Sequence, residues 1–114
     1  MGNYELGQIY YINKEYDDDP EQSKRRPAII VDIDEENNKV YTLVATTSKG
    51  KKNPETYHDQ FKHPIYNWRR AGLTEPSWAL CLTQLELHQS ALLEYVGELE
   101  DQDYDRLLDF MDSL

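Results

Sequence analysis

A run of cations leads directly into an apolar strand near the start of the chain. Lys24, Arg25 and Arg26 precede Pro27, and residues 28–31 are continuously apolar, as in a strand that is covered on both faces. Proline is tolerated at the first position of a strand and biases the preceding residue toward an extended backbone, so Arg26 should stand at the mouth of this strand. A guanidinium at the rim of a packed scaffold is well suited to binding phosphate. A solvated basic loop before a core strand would explain the same residues.

Hydroxyl and ammonium groups follow a second predicted strand. Residues 46–48 are Thr, Thr and Ser, and lysines surround Gly50 at positions 49, 51 and 52. These groups suit contacts to an oxyanion, although the segment lacks the glycine spacing and the following helix of a phosphate loop. Serine, threonine and glycine are also ordinary turn formers, which leaves a plain surface loop as the alternative.

Two other groups of residues could carry chemistry. Trp68 is followed by Arg69 and Arg70, a combination that fits base stacking with phosphate contact and equally fits a core tryptophan beside surface arginines. His58 and His63 near Asp59 could bind zinc, but neither helical i, i+4 spacing nor a CxxC pair supports a zinc site. The acidic run at residues 17–19 is followed by Pro20 and is interpreted as a solvated loop. We therefore expect no metal site.

Charge is distributed unevenly along the chain of 114 residues, whose formal net charge is −10. Residues 24–70 carry a net +4 and the remainder a net −14, so the chain has a basic middle that could bind an anionic ligand and acidic ends. The length predicts one domain over residues 1–114. The single cysteine, Cys81, excludes an internal disulfide and favours a reducing cytoplasmic setting. No signal peptide and no apolar segment long enough to cross a membrane are expected.

The pattern of apolar residues predicts a mainly β domain with a helix at its C-terminus. Strands are expected at residues 6–12, 26–33, 39–47, 65–66, 77–82 and 92–97, with a polar connection at 13–25 and a hairpin turn at 34–38. From about Asp101, the apolar residues follow the i, i+3, i+4, i+7 spacing of an amphipathic helix (Tyr104, Leu107, Leu108, Met111 and Leu114). Five or six short strands with one terminal helix would form a small curled sheet.

The order of these parts resembles the MazF/PemK toxin family. Members often carry Gly-x-Glu-Gln-x-Gly-x-Arg-Pro after the first strand, and this chain keeps Glu21, Gln22, Arg26 and Pro27 at that spacing. Both glycines of the pattern are missing, and Lys24 takes the place of the second. A strand that ends in Thr-Thr before a Ser-Lys-Gly loop matches residues 46–50, and looser matches follow at residues 68–84 and 96–99.

The resemblance implies an SH3-like barrel of five to six strands that acts as a homodimeric, metal-independent and cofactor-free endoribonuclease in the cytoplasm. Its single-stranded RNA would be cut by attack of the 2′-hydroxyl on the adjacent phosphate, and a cognate antitoxin would neutralise it. By position, Arg26 would be the catalytic arginine and Thr47 the catalytic threonine, with Thr46 as the alternative. The general base would be Glu21 or water, because Thr83 stands where some members have a carboxylate. The implied substrate-binding residues are Glu21, Gln22, Lys24, Arg25, Thr46, Ser48, Lys49, Arg69, Arg70 and Gln84.

A non-catalytic SH3-like barrel that binds a protein or peptide is the alternative function. It accounts for the same fold and the same aromatic residues, and it accounts better for the acidic ends of the chain. The two functions differ in their response to salt. Binding of RNA should weaken steeply as salt is added, whereas binding of a peptide need not.

Overall fold

Seven strands and one helix form the described part of the computed structural model, which covers residues 4–16, 19–46, 58–82 and 84–114, without the side chains of residues 14–24, 58 and 59. Short 3-10 helices lie at His58–Phe61 and Gln89–Ala91. The elements in chain order are β1 (Gln8–Tyr16), β2 (Asp19–Asp34), β3 (Lys39–Thr46), β4 (Lys62–Pro64), β5 (Trp78–Leu80), β6 (Leu85–His88), β7 (Tyr95–Glu98) and α1 (Asp101–Asp112). The mainly β class with a C-terminal helix is confirmed.

The strands pair antiparallel in the order β4-β5-β3-β2-β1-β7, and β6 pairs with β3 beside β5. The N-terminal half of β3 therefore pairs with β6 and its C-terminal end with β5. Five to six strands were expected, and the described part of the chain has seven. The additional strand is β6, which was not predicted. Strand pairing over these residues leaves β4 and β7 as the two ends of the sheet, so the sheet is not a closed barrel.

The β1–β2 hairpin is longer than its side chains suggested. The polar connection expected at residues 13–25 was wrong: β1 continues to Tyr16, β2 starts at Asp19, and Asn13 pairs with Arg25. Backbone hydrogen bonds hold an antiparallel ladder whether or not its side chains are apolar, which is why a polar stretch can extend a strand. The short strand expected at residues 65–66 was also misplaced, since β4 ends at Pro64 and Tyr66 begins a turn.

The turn between β2 and β3 is fixed by side-chain hydrogen bonds. Asp34 accepts from the backbone N–H of Asn37 at 3.3 Å and from its Nδ2 at 2.8 Å. Asn38 adopts a positive φ of 55°, which asparagine tolerates better than most residues. Its backbone carbonyl and Oδ1 both accept hydrogen bonds from Gln89, each at 2.8 Å. These contacts confirm the predicted hairpin turn and set the register of the two strands.

The sheet has a hydrophobic core on each face. In β2, Ile29 joins the first core, whereas Ala28 and Ile30 join the second, and all three are fully buried. This alternation confirms the prediction that the strand after Pro27 is covered on both faces. The buried residues of the first core are Ile9, Ile29, Leu43, Ala45, Ile65, Ala71, Leu73, Ala79, Cys81, Leu99 and Leu107. Those of the second core are Ile12, Ala28, Ile30, Val40, Val44 and Leu92.

Two glycines bring the chain after β4 against β7. A Cβ atom at Gly97 would overlap the carbonyl oxygen of Ala71, and a Cβ atom at Gly72 would overlap that of Val96. Gly72 also has φ +91°, a conformation that disfavours any side chain. The turn after β4 and strand β7 therefore pack backbone against backbone, without strand pairing.

Helix α1 covers the first core. Leu107 is buried and Tyr104 and Met111 are partly buried against this core, as the spacing predicted. Phe110, which was not predicted, packs against the same core. Leu114 lies beyond the helix and is 56% exposed, so its assignment to the apolar face was wrong. Within the described ranges, no helix is both long and apolar enough to span a membrane.

Candidate functional site

Arg26 and Thr46 lie at the same end of neighbouring strands. The last pair in the β2–β3 register is Ala28 with Val44. Arg26 is two residues before Ala28 and Thr46 is two residues after Val44, so continuing the register sets them opposite each other. Side chains two residues apart in a strand share a face, which puts both residues on the face of the second core. Both are partly buried, so each is anchored at the rim of that core.

The row of paired residues that contains Arg26 and Thr46 extends into the neighbouring strands. Thr46 pairs with Trp78 of β5, and Trp78 pairs with Pro64 of β4. On the other side, Arg26 pairs with Ile12 of β1. Directly paired residues project from the same face of a sheet. The face therefore carries a guanidinium, a hydroxyl and an indole in three adjacent strands, a set of groups that can contact a phosphate and an aromatic base.

Arg25, which was expected to bind substrate, lies on the other face. Its position next to Arg26 in the strand reverses the direction of its side chain. Its Nη1 is 3.0 Å from Glu94 Oε1, and the two side chains are 55% and 71% exposed. Such an exposed ion pair contributes little free energy. The structure thus places two consecutive arginines on opposite faces of the sheet.

Arg69 and Arg70 lie in the turn after β4. Strands β5 and β3 stand between β4 and β2, the strand that carries Arg26. The guanidinium carbon of Arg69 is 4.9 Å from the centre of the Trp68 ring, and Trp68 packs against the first core. Arg70 Nη1 is 4.0 Å from Glu100 Oε1. Of the two sequence interpretations of this segment, the structure supports a core tryptophan beside surface arginines.

The remaining expected site residues are described only in part. Gln84 is exposed and immediately precedes β6 in the chain. It therefore lies between β5 and β6, which both pair with β3. Glu21, Gln22 and Lys24 belong to β2, and their side chains lie outside the described part. Thr47, Ser48, Lys49 and Thr83 lie outside the described residues altogether.

His63 packs between two aromatic rings near α1. Its ring centre is 5.1 Å from that of Phe110 and 6.2 Å from that of Tyr66. Its Nε2 is buried without a hydrogen-bond partner among the described atoms. Burial lowers the pKa of His63, the nearby Arg106 lowers it further, and Asp103 partly opposes both effects. In the parts of the chain that the structure describes, no three potential ligands from His, Cys, Asp and Glu gather around a common point.

Cys81 is inert packing, as the sequence indicated. Its Sγ contacts the carbonyl oxygen of Ala79 at 3.6 Å. Burial raises the pKa of the thiol to about 12, so the thiolate that would act as a nucleophile is absent near neutral pH.

Trp78 is the residue of this face that sequence reasoning missed. Residues 77–82 were interpreted as a buried strand, whereas β5 spans only Trp78–Leu80 and the tryptophan is partly exposed. An apolar run with no alternation does not show which of its members lies at the edge of the core. The signal that could have found it is a large aromatic residue at the first position of a strand.

Comparisons with known proteins agree with this arrangement. A family model described as PemK-like, MazF-like toxin of type II toxin-antitoxin system matches residues 5–111. Toxin MazF-mt6 of Mycobacterium tuberculosis has a similar fold, with a TM-score of 0.67 and 17% identity over 93% of each chain. A MazE-MazF crystal structure from Deinococcus radiodurans matches with a TM-score of 0.70 and 15% identity, over 99% of this chain and 96% of that one.

An endoribonuclease in complex with its cognate antitoxin, from a mycobacterial species, matches with a TM-score of 0.69 and 16% identity, over 95% of this chain and 90% of that one. No curated protein sequence matches the chain. At these identities the solved structures show a shared fold, and the family model, which spans nearly all of the chain, shows descent. The chain belongs to the PemK-like, MazF-like toxins of type II toxin-antitoxin systems.

Proposed function

We propose that this toxin is an endoribonuclease that cuts single-stranded RNA without a metal ion or other cofactor, with Arg26 and Thr46 as its catalytic residues. One observation carries the assignment: the register of β2 and β3 brings the two residues to one end of one face. We prefer Thr46 over Thr47 because Thr46 lies two residues after Val44 in β3, so its side chain projects from the same face as Val44. Val44 pairs with Ala28, and Arg26 lies on that face as well.

The reaction needs few groups from the protein. The RNA 2′-oxygen loses its proton and attacks the neighbouring phosphorus, and the bond from phosphorus to the 5′-oxygen of the next nucleotide breaks. The products are a 2′,3′-cyclic phosphate and a 5′-hydroxyl, whose oxygen takes up a proton. The attacking group belongs to RNA, so DNA would not be cut.

Arg26 and Thr46 supply complementary contacts to the phosphate. The guanidinium of Arg26 would stabilise the negative charge of the five-coordinate phosphorus through its planar, charge-assisted donors. The hydroxyl of Thr46 would donate to a non-bridging oxygen. The proton of the 2′-hydroxyl would pass to Glu21 or to water.

The proposal includes partners. A cognate antitoxin would neutralise this toxin, since a mycobacterial endoribonuclease of the same fold forms a complex with its cognate antitoxin. The active species would be a homodimer in the cytoplasm. The homodimer is what the toxin family implies for this chain.

The test is cleavage of a mixed-sequence RNA in EDTA by the wild type, Arg26→Ala and Arg25→Ala. Arg25 is a matched control because it is the neighbouring arginine on the opposite face. We expect EDTA-resistant cleavage with 2′,3′-cyclic phosphate ends by the wild type and by Arg25→Ala. Loss of Arg26 should reduce kcat/KM by about 10²- to 10³-fold. Equal cleavage by all three proteins, or cleavage by none across many RNA sequences, would refute the proposal.

A further inference from the structure

Trp78 continues the row formed by Arg26 and Thr46 with an aromatic ring. We infer that Trp78 stacks on a base of the RNA whose phosphate is held by Arg26 and Thr46, and so acts as a substrate-binding residue. This inference rests on the proposed function and adds to it the group that would hold a base.

The sheet register fixes the position of Trp78 relative to the phosphate-binding groups. Trp78 pairs directly with Thr46, and Arg26 belongs to the strand on the far side of Thr46. Neighbouring strands lie about 5 Å apart, so the indole is one strand spacing from the Thr46 hydroxyl and two from Arg26. The ribose of a single nucleotide spans a gap of this kind between its phosphate and its base.

The surroundings of the two tryptophans in the chain differ. Trp68 packs against the first core and carries the Arg69 guanidinium 4.9 Å from its ring centre. Within the described part of the chain, Trp68 belongs to the side chains that pack against a hydrophobic core, whereas Trp78 does not. On the face of Trp78, the neighbouring Leu80 packs against the second core, and Trp78 lies one step beyond it, toward the end of the sheet. Both tryptophans are partly buried, and Trp78 differs from Trp68 in its place beside Thr46 at the end of the sheet, where its ring can meet a ligand.

The chemistry of an indole suits single-stranded RNA. A base that is not engaged in a duplex offers an aromatic face, and stacking tolerates all four bases. A cationic side chain and an aromatic ring side by side are the usual elements of single-strand binding. Trp78 would therefore strengthen binding of any RNA sequence and exclude duplexes, whose bases are already stacked.

Fluorescence provides a test that leaves Trp78 intact. In Trp68→Phe, Trp78 is the remaining tryptophan of the chain, and the control substitution keeps an aromatic ring in the first core. Four short homo-oligonucleotides of 2′-O-methyl RNA (A, C, G and U) serve as probes, because they lack the attacking hydroxyl. We expect saturable quenching of Trp78 by each single strand and none by a 2′-O-methyl duplex.

Substitution provides the second readout. Trp78→Ala should weaken oligonucleotide binding and raise the KM for RNA cleavage by about 5- to 150-fold, as for the loss of one aromatic–base stack. Trp78→Phe keeps a ring and should retain most of the affinity. The kcat of both variants should fall less than their affinity, because stacking is present in the ground state as well as in the transition state.

Three results would overturn the inference, and they can be told apart. Cleavage by the wild type with unchanged KM in Trp78→Ala removes the stacking role and leaves the proposed function intact. A changed oligomeric state in Trp78→Ala with unchanged RNA affinity assigns the ring to a protein interface. Wild-type protein that neither cleaves RNA nor shows quenching by the probes removes the proposed function as well.

Discussion

The backbone N–H of Asn67 donates a 2.8 Å hydrogen bond to Asp103 Oδ2 and so joins the turn after β4 to the first turn of α1. Asp103 is only 2% exposed, and Arg106 Nη1 lies 3.5 Å from its other oxygen. Asp103 is an acidic residue in the first turn of α1, where a carboxylate interacts favourably with the helix dipole. In the structure this carboxylate also holds two elements together.

Removing the Asp103 carboxylate should destabilise the fold. Asp103→Ala leaves the N–H of Asn67 unpaired in a buried setting, which costs about 1–3 kcal/mol. Asp103→Asn keeps an acceptor and should lose less. Asp105, exposed on the same helix, supplies the control Asp105→Ala, which should change the free energy of unfolding by less than about 0.5 kcal/mol. Urea denaturation followed by circular dichroism measures all three, and equal stability of Asp103→Ala and the wild type would contradict the expectation.

Acid should destabilise the protein in part through His63. Its pKa in the folded state is lowered from the ordinary 6.5, mainly by burial, so the unfolded chain binds a proton first as the pH falls. The stability associated with the neutral ring is thus present above about pH 6.5 and is lost as the pH falls through the folded pKa. His63→Phe should keep the aromatic packing and lose less stability between pH 8 and pH 5.5 in urea titrations. Identical pH dependence in the two proteins would show that His63 contributes nothing.

A methyl group at Gly97 should be poorly tolerated. Its Cβ would overlap the carbonyl oxygen of Ala71, and backbone atoms cannot move aside as a flexible side chain can. We expect Gly97→Ala to lose about 1–3 kcal/mol or more in urea denaturation. At Gly7 a Cβ would meet the nearest Tyr104 atom at 3.4 Å, so Gly7→Ala loses stability through its positive φ rather than through a clash. A Gly97→Ala protein as stable as the wild type would show that β7 can move away from the turn that follows β4.

The choice between the two adjacent threonines can be tested by substitution. Thr46→Ala should lower kcat/KM for RNA by about 10²- to 10³-fold, as for one lost transition-state donor, whereas Thr46→Ser should keep most of the activity. Thr47→Ala is the matched control and should have the smaller effect in initial-rate assays. A larger effect at Thr47 would transfer the catalytic role to that residue.

Salt should weaken RNA binding through Arg26. The logarithm of the affinity for single strands falls with the logarithm of the salt concentration by about 0.7 for each phosphate neutralised. Arg26→Ala should therefore reduce this slope by about 0.7, whereas Arg70→Ala, whose side chain lies near Glu100, should leave it unchanged. Fluorescence anisotropy with a labelled 2′-O-methyl oligonucleotide measures both slopes. If Arg70→Ala reduced the salt slope as much as Arg26→Ala, the turn after β4 would belong to the RNA-binding surface.

The parts of the fold that local sequence determines were predicted well. The apolar run after Pro27 indicated a strand covered on both faces, and the spacing of Tyr104, Leu107 and Met111 indicated α1. In both, neighbouring residues repeat with the period of the element that they form. The candidate catalytic residues, Arg26 and Thr47 with Thr46 as the alternative, came from motifs of the toxin family and not from this periodicity.

The parts that depend on distant contacts were not predicted. β6 has only four residues, Leu85–His88, and forms because β3 offers it an unpaired edge. The hairpin extends through polar residues because its strands pair by backbone hydrogen bonds. The separation of Arg25 from Arg26 and the exposure of Trp78 follow from register, which the sequence of one strand alone does not reveal.

The turn between β2 and β3 has a consequence for how this protein can change over evolutionary time. A strand that slips by one residue reverses every side chain, so an insertion or deletion among residues 35–38 that shifted β2 against β3 by one residue would send Arg26 and Thr46 to opposite sides while leaving both in the chain. Substitutions that keep the side-chain contacts of Asp34 and Asn38 leave the register in place, whereas a change in length that shifts the register does not. The length of a turn outside the proposed site thereby constrains how two residues of that site lie relative to each other.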